Sequence, residues 1–242
     1  MVKKILLTIA VVISWGAVVV GGAWCSAQHD DSPCSELRIV VEDSLKRQFV
    51  ETDELEGFLK RSDHYPLSKA MALIDCHAIE GYMMNHEMVR SAACYKSPFG
   101  CVYVCVTQRE PVLKVVGNDG CYYVDSDRRV MPLRKQIEAD VPVFRGAISK
   151  RAASEEYFDF VQWLNSNHYW GERIQDIYVY NTRYLVLSQK DLHAKIVLGD
   201  LSGYADKLAK LQKLYTQGFE KIGYPEYREY DLRFAGQVVG RK

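Results

Sequence analysis

The sequence predicts an α+β chain: a single N-terminal transmembrane helix, a small β-α-α-β-β domain, and a mixed β-sheet domain with flanking helices. Three observations carry this expectation. An uncharged, apolar stretch runs from Ile5 to Cys25. Residues 34–110 then order as strand, helix, helix, strand, strand by their apolar spacing. From residue 111 onward short alternating runs predominate, and only a few segments carry helical periodicity.

The apolar stretch reaches about 31 Å at ~1.5 Å per residue, enough for a hydrocarbon core of about 30 Å. Lys3 and Lys4 precede it, and His29, Asp30 and Asp31 follow. The positive-inside bias therefore predicts residues 1–4 as a cytoplasmic tail, 5–25 as the span, and the rest as exported. A cleaved signal peptide would have an apolar region of only about 7–15 residues. Cys25-Ser26-Ala27 is also a poor small-x-small site, and bulky Trp24 before Cys25 speaks against lipid attachment.

The first domain is expected over 34–110. Leu37, Ile39 and Val41 alternate with Arg38, Val40 and Glu42, predicting a strand from Cys34 to Asp43. Asp53 and Glu56 have capping-box spacing, predicting a helix to about Arg61. After Pro66, helical spacing runs from Ser68 to about His86. Met88 to Tyr95 and Cys101 to Gln108 read as strands joined by a turn at Ser97-Pro98-Phe99-Gly100. Arg109-Glu110-Pro111 marks the expected boundary.

The second domain is expected over 111–242. Val112 to Val116 and Cys121 to Asp125 flank Asn118-Asp119-Gly120 as a hairpin, and Val141 to Gly146 is a short apolar run. Ser154 is the expected N-cap of a helix to about Asn167, whose buried stripe is Tyr157, Phe158, Val161 and Leu164. Ile174 to Tyr180, Tyr184 to Ser188 and Leu192 to Leu198 follow as strands. Ser202 is expected to cap a helix to about Ile222, with the last strands between Tyr227 and Gly240. Asp231-Leu232-Arg233-Phe234 and the Gly-bearing run to Lys242 read as an edge strand, blunted by Arg241 and Lys242 or used by a partner for strand addition.

Composition excludes several classes. Lys+Arg 31 balances Asp+Glu 31, so no global field favours nucleic acid. The 12% aromatic share, with 16 Tyr, suits β surfaces and recognition faces. Of the seven cysteines, Cys101 and Cys105 share one face of one strand about 13 Å apart, too far to bond. Cys94 faces one or the other only across a hairpin, so free and mostly buried thiols are expected. His64, His77 and His86 lack ligand spacing. Asp125-x-Asp127 lacks the Gly and Glu of a calcium loop, and no phosphate-binding or nucleophile-elbow motif occurs. No cofactor or metal is therefore expected.

Several short segments together resemble the FtsQ/DivIB family of bacterial cell-division proteins. They are Met88-Val89-Arg90-Ser91-Ala92, Gln108-Arg109-Glu110-Pro111-Val112, Tyr123-Val124-Asp125 through Val130, Val141-Pro142-Val143-Phe144-Arg145-Gly146, Leu198-Gly199, and the terminal Asp-Leu-Arg-Phe. Arg109 and Glu110 are reversed relative to the family's order, Arg128-Arg129 replaces its turn Gly, and Asp200 stands where many relatives carry Arg. The resemblance implies a POTRA domain over 34–110 and a β-domain over 111–242. It further implies a non-enzymatic, single-pass scaffold of septum formation in the inner membrane. Its partners would be FtsB-like and FtsL-like proteins, other division and septal wall-synthesis proteins, and membrane lipid around the helix. Phe234, Gly236, Val239 and Gly240 fall at the implied contact, and Arg241 falls where an aromatic residue often sits. Two rival readings are a membrane-anchored periplasmic hydrolase or metal enzyme using His64, His77 or the Asp125/Asp127 pair, and an outer-membrane assembly factor with repeated POTRA units.

Overall fold

A computed structural model describes residues 32–42, 49–117, 120–134, 138–190, 192–219, 223 and 227–242. The expected cytoplasmic tail 1–4 and transmembrane helix 5–25 lie outside the described residues. Among those described, no helix is long and apolar enough to cross a membrane. The chain divides into two compact units between Gln108 and Arg109.

The first unit holds strand β1 (Glu36–Glu42), helix α1 (Thr52–Lys60), helix α2 (Cys76–Met83), β2 (Val89–Lys96) and β3 (Cys101–Gln108). The sheet order is β1-β3-β2, with β1 parallel and β2 antiparallel to β3. Val102, Val104 and Val106 on β3 are fully buried, as are Leu55 and Leu59 of α1 and Ile79 and Met83 of α2. Each such side chain contributes about 1.5–3 kcal/mol of burial. The opposite sheet face is open and carries a row of Arg38, Tyr103 and Tyr95, whose two rings stack 5.0 Å apart.

Two helix starts differ from expectation. Helix α1 is N-capped by Glu51 without a side-chain bond, so the Asp53/Glu56 capping box does not form. Asp53 and Glu54 instead lie in the first turn, where the helix dipole favours them. The helix expected from Ser68 is broken: Ser68 has φ +67°, Met71–Leu73 is one 3₁₀ turn, and α2 begins only at Cys76. Asp75 accounts for the late start, its carboxylate accepting from the Ala78 amide at 3.1 Å.

The second unit is built on nine strands. They are β4 (Pro111–Gly117), β5 (Gly120–Asp125), β6 (Val130–Pro132), β7 (Val143–Gly146), β8 (Ile174–Asn181), β9 (Tyr184–Gln189), β10 (Lys195–Gly199), β11 (Glu229–Asp231) and β12 (Val239–Arg241). Their order in one mixed sheet is β12-β11-β10-β9-β8-β7-β4-β5-β6. Helices α3 (Lys150–Ser154), α4 (Glu156–Ser166) and α5 (Tyr204–Lys213) share a core with it. In that core Tyr157, Phe158, Phe160, Val161 and Leu164 of α4, and Leu208 and Leu211 of α5, join Val115, Phe144, Ile177, Leu187 and Ile196 of the sheet. The stripe expected for α4 is thus buried, with Phe160 added to it.

Neither serine expected to cap these helices does so. Ser154 is the last residue of α3, which Ser149 caps through a bond from the Ala152 amide at 3.2 Å, and α4 starts from Glu155 without a side-chain cap. Gly203, at φ +58°, precedes α5, while Ser202 bonds to Asp200 instead. The cysteines, expected to be mostly buried, are less so. Of those described, Cys34 and Cys101 are buried, Cys76, Cys94 and Cys105 are half-buried, and Cys121 is exposed.

Candidate partner-binding edge

The sheet of the second unit finishes in a short hairpin. β11 runs parallel to β10, pairing Lys195 with Glu229 and Val197 with Asp231. β12 returns antiparallel to β11, pairing Glu229 with Arg241, Tyr230 with Gly240 and Asp231 with Val239. Among the described residues β12 is an end of the sheet order, so its outer side has no strand partner.

The edge strand expected as one run from Asp231 to Lys242 is therefore divided. Asp231 ends β11, and the Leu232 amide still donates to the Val197 carbonyl of β10 at 2.9 Å. Leu232 is only 2% exposed, so this residue is drawn into the core before the chain turns. Gly236 makes the reversal at φ +79°, a region that favours glycine. Of the four residues implied at the contact, Val239 and Gly240 lie on β12, and Phe234 and Gly236 lie in the turn before it. Phe234 is 45% exposed.

Asp231 organises the hairpin. It is fully buried, and its carboxylate accepts from the Arg233 amide at 3.1 Å, Arg233 Nε at 2.9 Å, Arg233 Nη2 at 2.7 Å and Arg241 Nη2 at 2.9 Å. The bonded Arg233 guanidinium holds the Asp231 carboxyl below the ordinary carboxylate range. Arg241 also reaches Glu229 at 3.2 Å, so one guanidinium on β12 grips both ends of β11. Charge-assisted contacts of this kind are the stronger class of hydrogen bond.

Gly240 has a packing role. A Cβ there would lie 2.9 Å from the ring of Tyr227, closer than non-bonded atoms approach. Tyr227 in turn meets Tyr230 edge-on at 5.7 Å, which links the edge strand to the aromatic group of Tyr215, Phe219 and Tyr230 beneath it. The Tyr227 contact and the Asp231–Arg241 pair were not foreseen. Asp231 and Arg233 stand close in sequence, but the partner at 241 is fixed only by the hairpin register.

Asp200, at the family's Arg position, is committed locally. The Ser202 hydroxyl donates to it at 2.6 Å and Lys207 Nζ at 2.9 Å, which push its carboxyl down to about 2. Lys207 also caps the carbonyls of Leu198 and Asp200.

The residues of the rival enzymatic reading are not assembled into a site. Asp125 is 1% exposed and accepts from Arg109 Nη1 at 2.6 Å and from the amides of Asp127 and Arg129 at 2.9 and 2.7 Å. It locks the turn between β5 and β6 and leaves little capacity for a cation. His77 pairs with Glu80 on α2, and the His64 ring lies 6.2 Å from Tyr82. Among the described residues no group of three or more His, Cys, Asp or Glu is placed to hold a metal.

Comparison with known families matches residues 32–107 to a POTRA-like domain and residues 110–241 to a family described as FtsQ/DivIB, C-terminal related. No curated protein matches the chain. The mixed β1-β3-β2 sheet with its two helices, followed by the nine-stranded sheet and its terminal hairpin, lies where these matches fall. The second match covers more than half of the sequence, and on it the chain belongs to the FtsQ/DivIB C-terminal-related family.

Proposed function

We propose that this chain is a bitopic scaffold of the bacterial divisome that binds FtsB-like and FtsL-like proteins by strand addition on the outer side of β12. Its family is one of cell-division proteins that work as scaffolds rather than as enzymes. Residues 5–25 hold it in the inner membrane, residues 1–4 lie in the cytoplasm, and the two folded units stand in the periplasm at the septum. Through its partners it connects to the septal wall-synthesis proteins.

One observation carries this reading: among the described residues β12 ends the sheet order with no strand on its outer side, and Arg241 ties it to Asp231 of β11. A pre-ordered edge lowers the entropic cost of docking an incoming strand. Phe234 supplies an aromatic anchor beside that edge, and Gly236 leaves open space around the turn. Val239 and Gly240 contribute the strand itself.

Val239→Pro removes the amide through which β12 pairs with Asp231 of β11 and so frees the edge strand from the sheet. The full-length variant should lose co-purification with FtsB-like and FtsL-like partners while its thermal unfolding stays cooperative. Retained co-purification at wild-type yield would refute strand addition at β12. Depletion of the protein should give filaments without septa, and normally dividing cells would refute the divisome assignment itself.

A further inference from the structure

We propose that Cys76 and Cys94 form a dithiol–disulfide pair that fastens helix α2 to the edge strand β2. Cys76 is the first residue of α2, and Cys94 lies on β2 opposite Val104. Cys94 therefore shares the helix-covered face of the sheet, whereas Cys105 pairs with Ala93 and faces the other way. Glu80 follows Cys76 by one helical turn, on the same side of α2. Its carboxylate accepts from the Cys94 amide at 2.8 Å, which seats that side of the helix directly on Cys94. Cys76 and Cys94 thus stand on the facing surfaces of α2 and β2.

Accessibility separates this pair from the other neighbours. Cys34 and Cys101 are 3% and 5% exposed and sit in the core, while Cys76 and Cys94 are both half-buried and reachable from solvent. Burial, with the adjacent Cys76 adding to it, pushes the Cys94 thiol up and makes it slow to ionise. Cys94 therefore takes the resolving role. In the first step Cys76 attacks a small-molecule or protein disulfide, forming a mixed disulfide and releasing one thiol. In the second, the Cys94 sulfur displaces the remaining thiol and closes the Cys76–Cys94 bond. Two thiols of this chain lose their protons and two electrons, and the oxidising disulfide leaves as two thiols.

The test uses the reduced full-length protein, equilibrated under native conditions in glutathione buffers of increasing oxidised fraction. Free thiols are then blocked and the peptides mapped by mass. A Cys76–Cys94 linked peptide should appear first, with the thiol count falling by two from seven. Exchange at the Cys94 amide should slow at least threefold in the same samples. Cys76→Ser should abolish both changes, and Cys105→Ser should leave both intact. A different intramolecular link forming first, no intramolecular link at any ratio, or slowed exchange persisting in Cys76→Ser would each overturn the proposal.

Discussion

Two of the strands that end a sheet, β2 and β12, face the same hazard of an unpaired edge and meet it in opposite ways. β2 is an end of the three-stranded sheet, and helix α2 covers it. The Glu80 carboxylate takes the Cys94 amide, and Lys96 Nζ reaches back to the Met71 carbonyl at 2.5 Å. β12 is an end of the nine-stranded sheet, and its polar contacts point inward to Asp231 and Glu229. Side chains that occupy a strand's outer amides close an edge, whereas side chains that brace a strand from behind leave it usable. The difference lies in where the carboxylate stands rather than in strand length or hydrophobicity.

The largest effect is expected at the brace. Asp231→Ala leaves the guanidiniums of Arg233 and Arg241 without their carboxylate and should cost about 2–3 kcal/mol, less than the roughly 3–5 kcal/mol for breaking a fully buried pair because both arginines reach solvent. Urea unfolding measures the loss, and amide exchange should rise across β11 and β12 but not across β2. Uniform acceleration in both sheets would break the contrast between the edges. Glu80→Ala is the matching change at the closed edge. It should cost about 1 kcal/mol and accelerate exchange at Cys94 while partner co-purification is unchanged.

Acid should produce the smallest change and the most local. The folded-state value of Asp231 lies below the ordinary Asp value of about 3.9, so its contribution to stability is complete above that value. It is lost as the pH falls through the lower folded-state value. Protection of the β12 amides, taken relative to their intrinsic exchange rates at each pH, should therefore hold steady between about pH 7 and pH 5 and fall only below about pH 4, and a fall near neutrality would show that another group governs the edge.

Local pattern made much of this fold legible. β3 occupies the expected Cys101–Gln108, because alternating apolar residues need no distant partner to be recognised. The apolar stripe of α4 and the β4–β5 hairpin follow from equally local signals, although Gly120, expected in the turn, opens β5 opposite Gly117. Helix starts were less legible, since serine is common in loops and only geometry selects a cap. Ser149 and Asp75 bond to the amides three residues on, while Ser154 ends α3 and Ser202 bonds to Asp200. The candidate site was legible as a region and not as an arrangement. Phe234 was read as part of a strand because aromatic residues favour strands, yet Leu232 is pulled into the core and Gly236 turns the chain before β12 begins. The pairing of Asp231 with Arg241 depends on that reversal.

The passage from one folded unit to the next also has a practical consequence. The side chain of Gln108 accepts from the Phe49 amide at 2.9 Å inside the first unit, and the side chain of Arg109, its immediate neighbour, is buried against Asp125 in the second. Proteolytic nicking favours exposed, slack loop tips, and these adjoining residues are only 3% and 6% exposed. Trypsin acting on the native protein should therefore spare the bond after Arg109, so the two halves are not separable by limited digestion there.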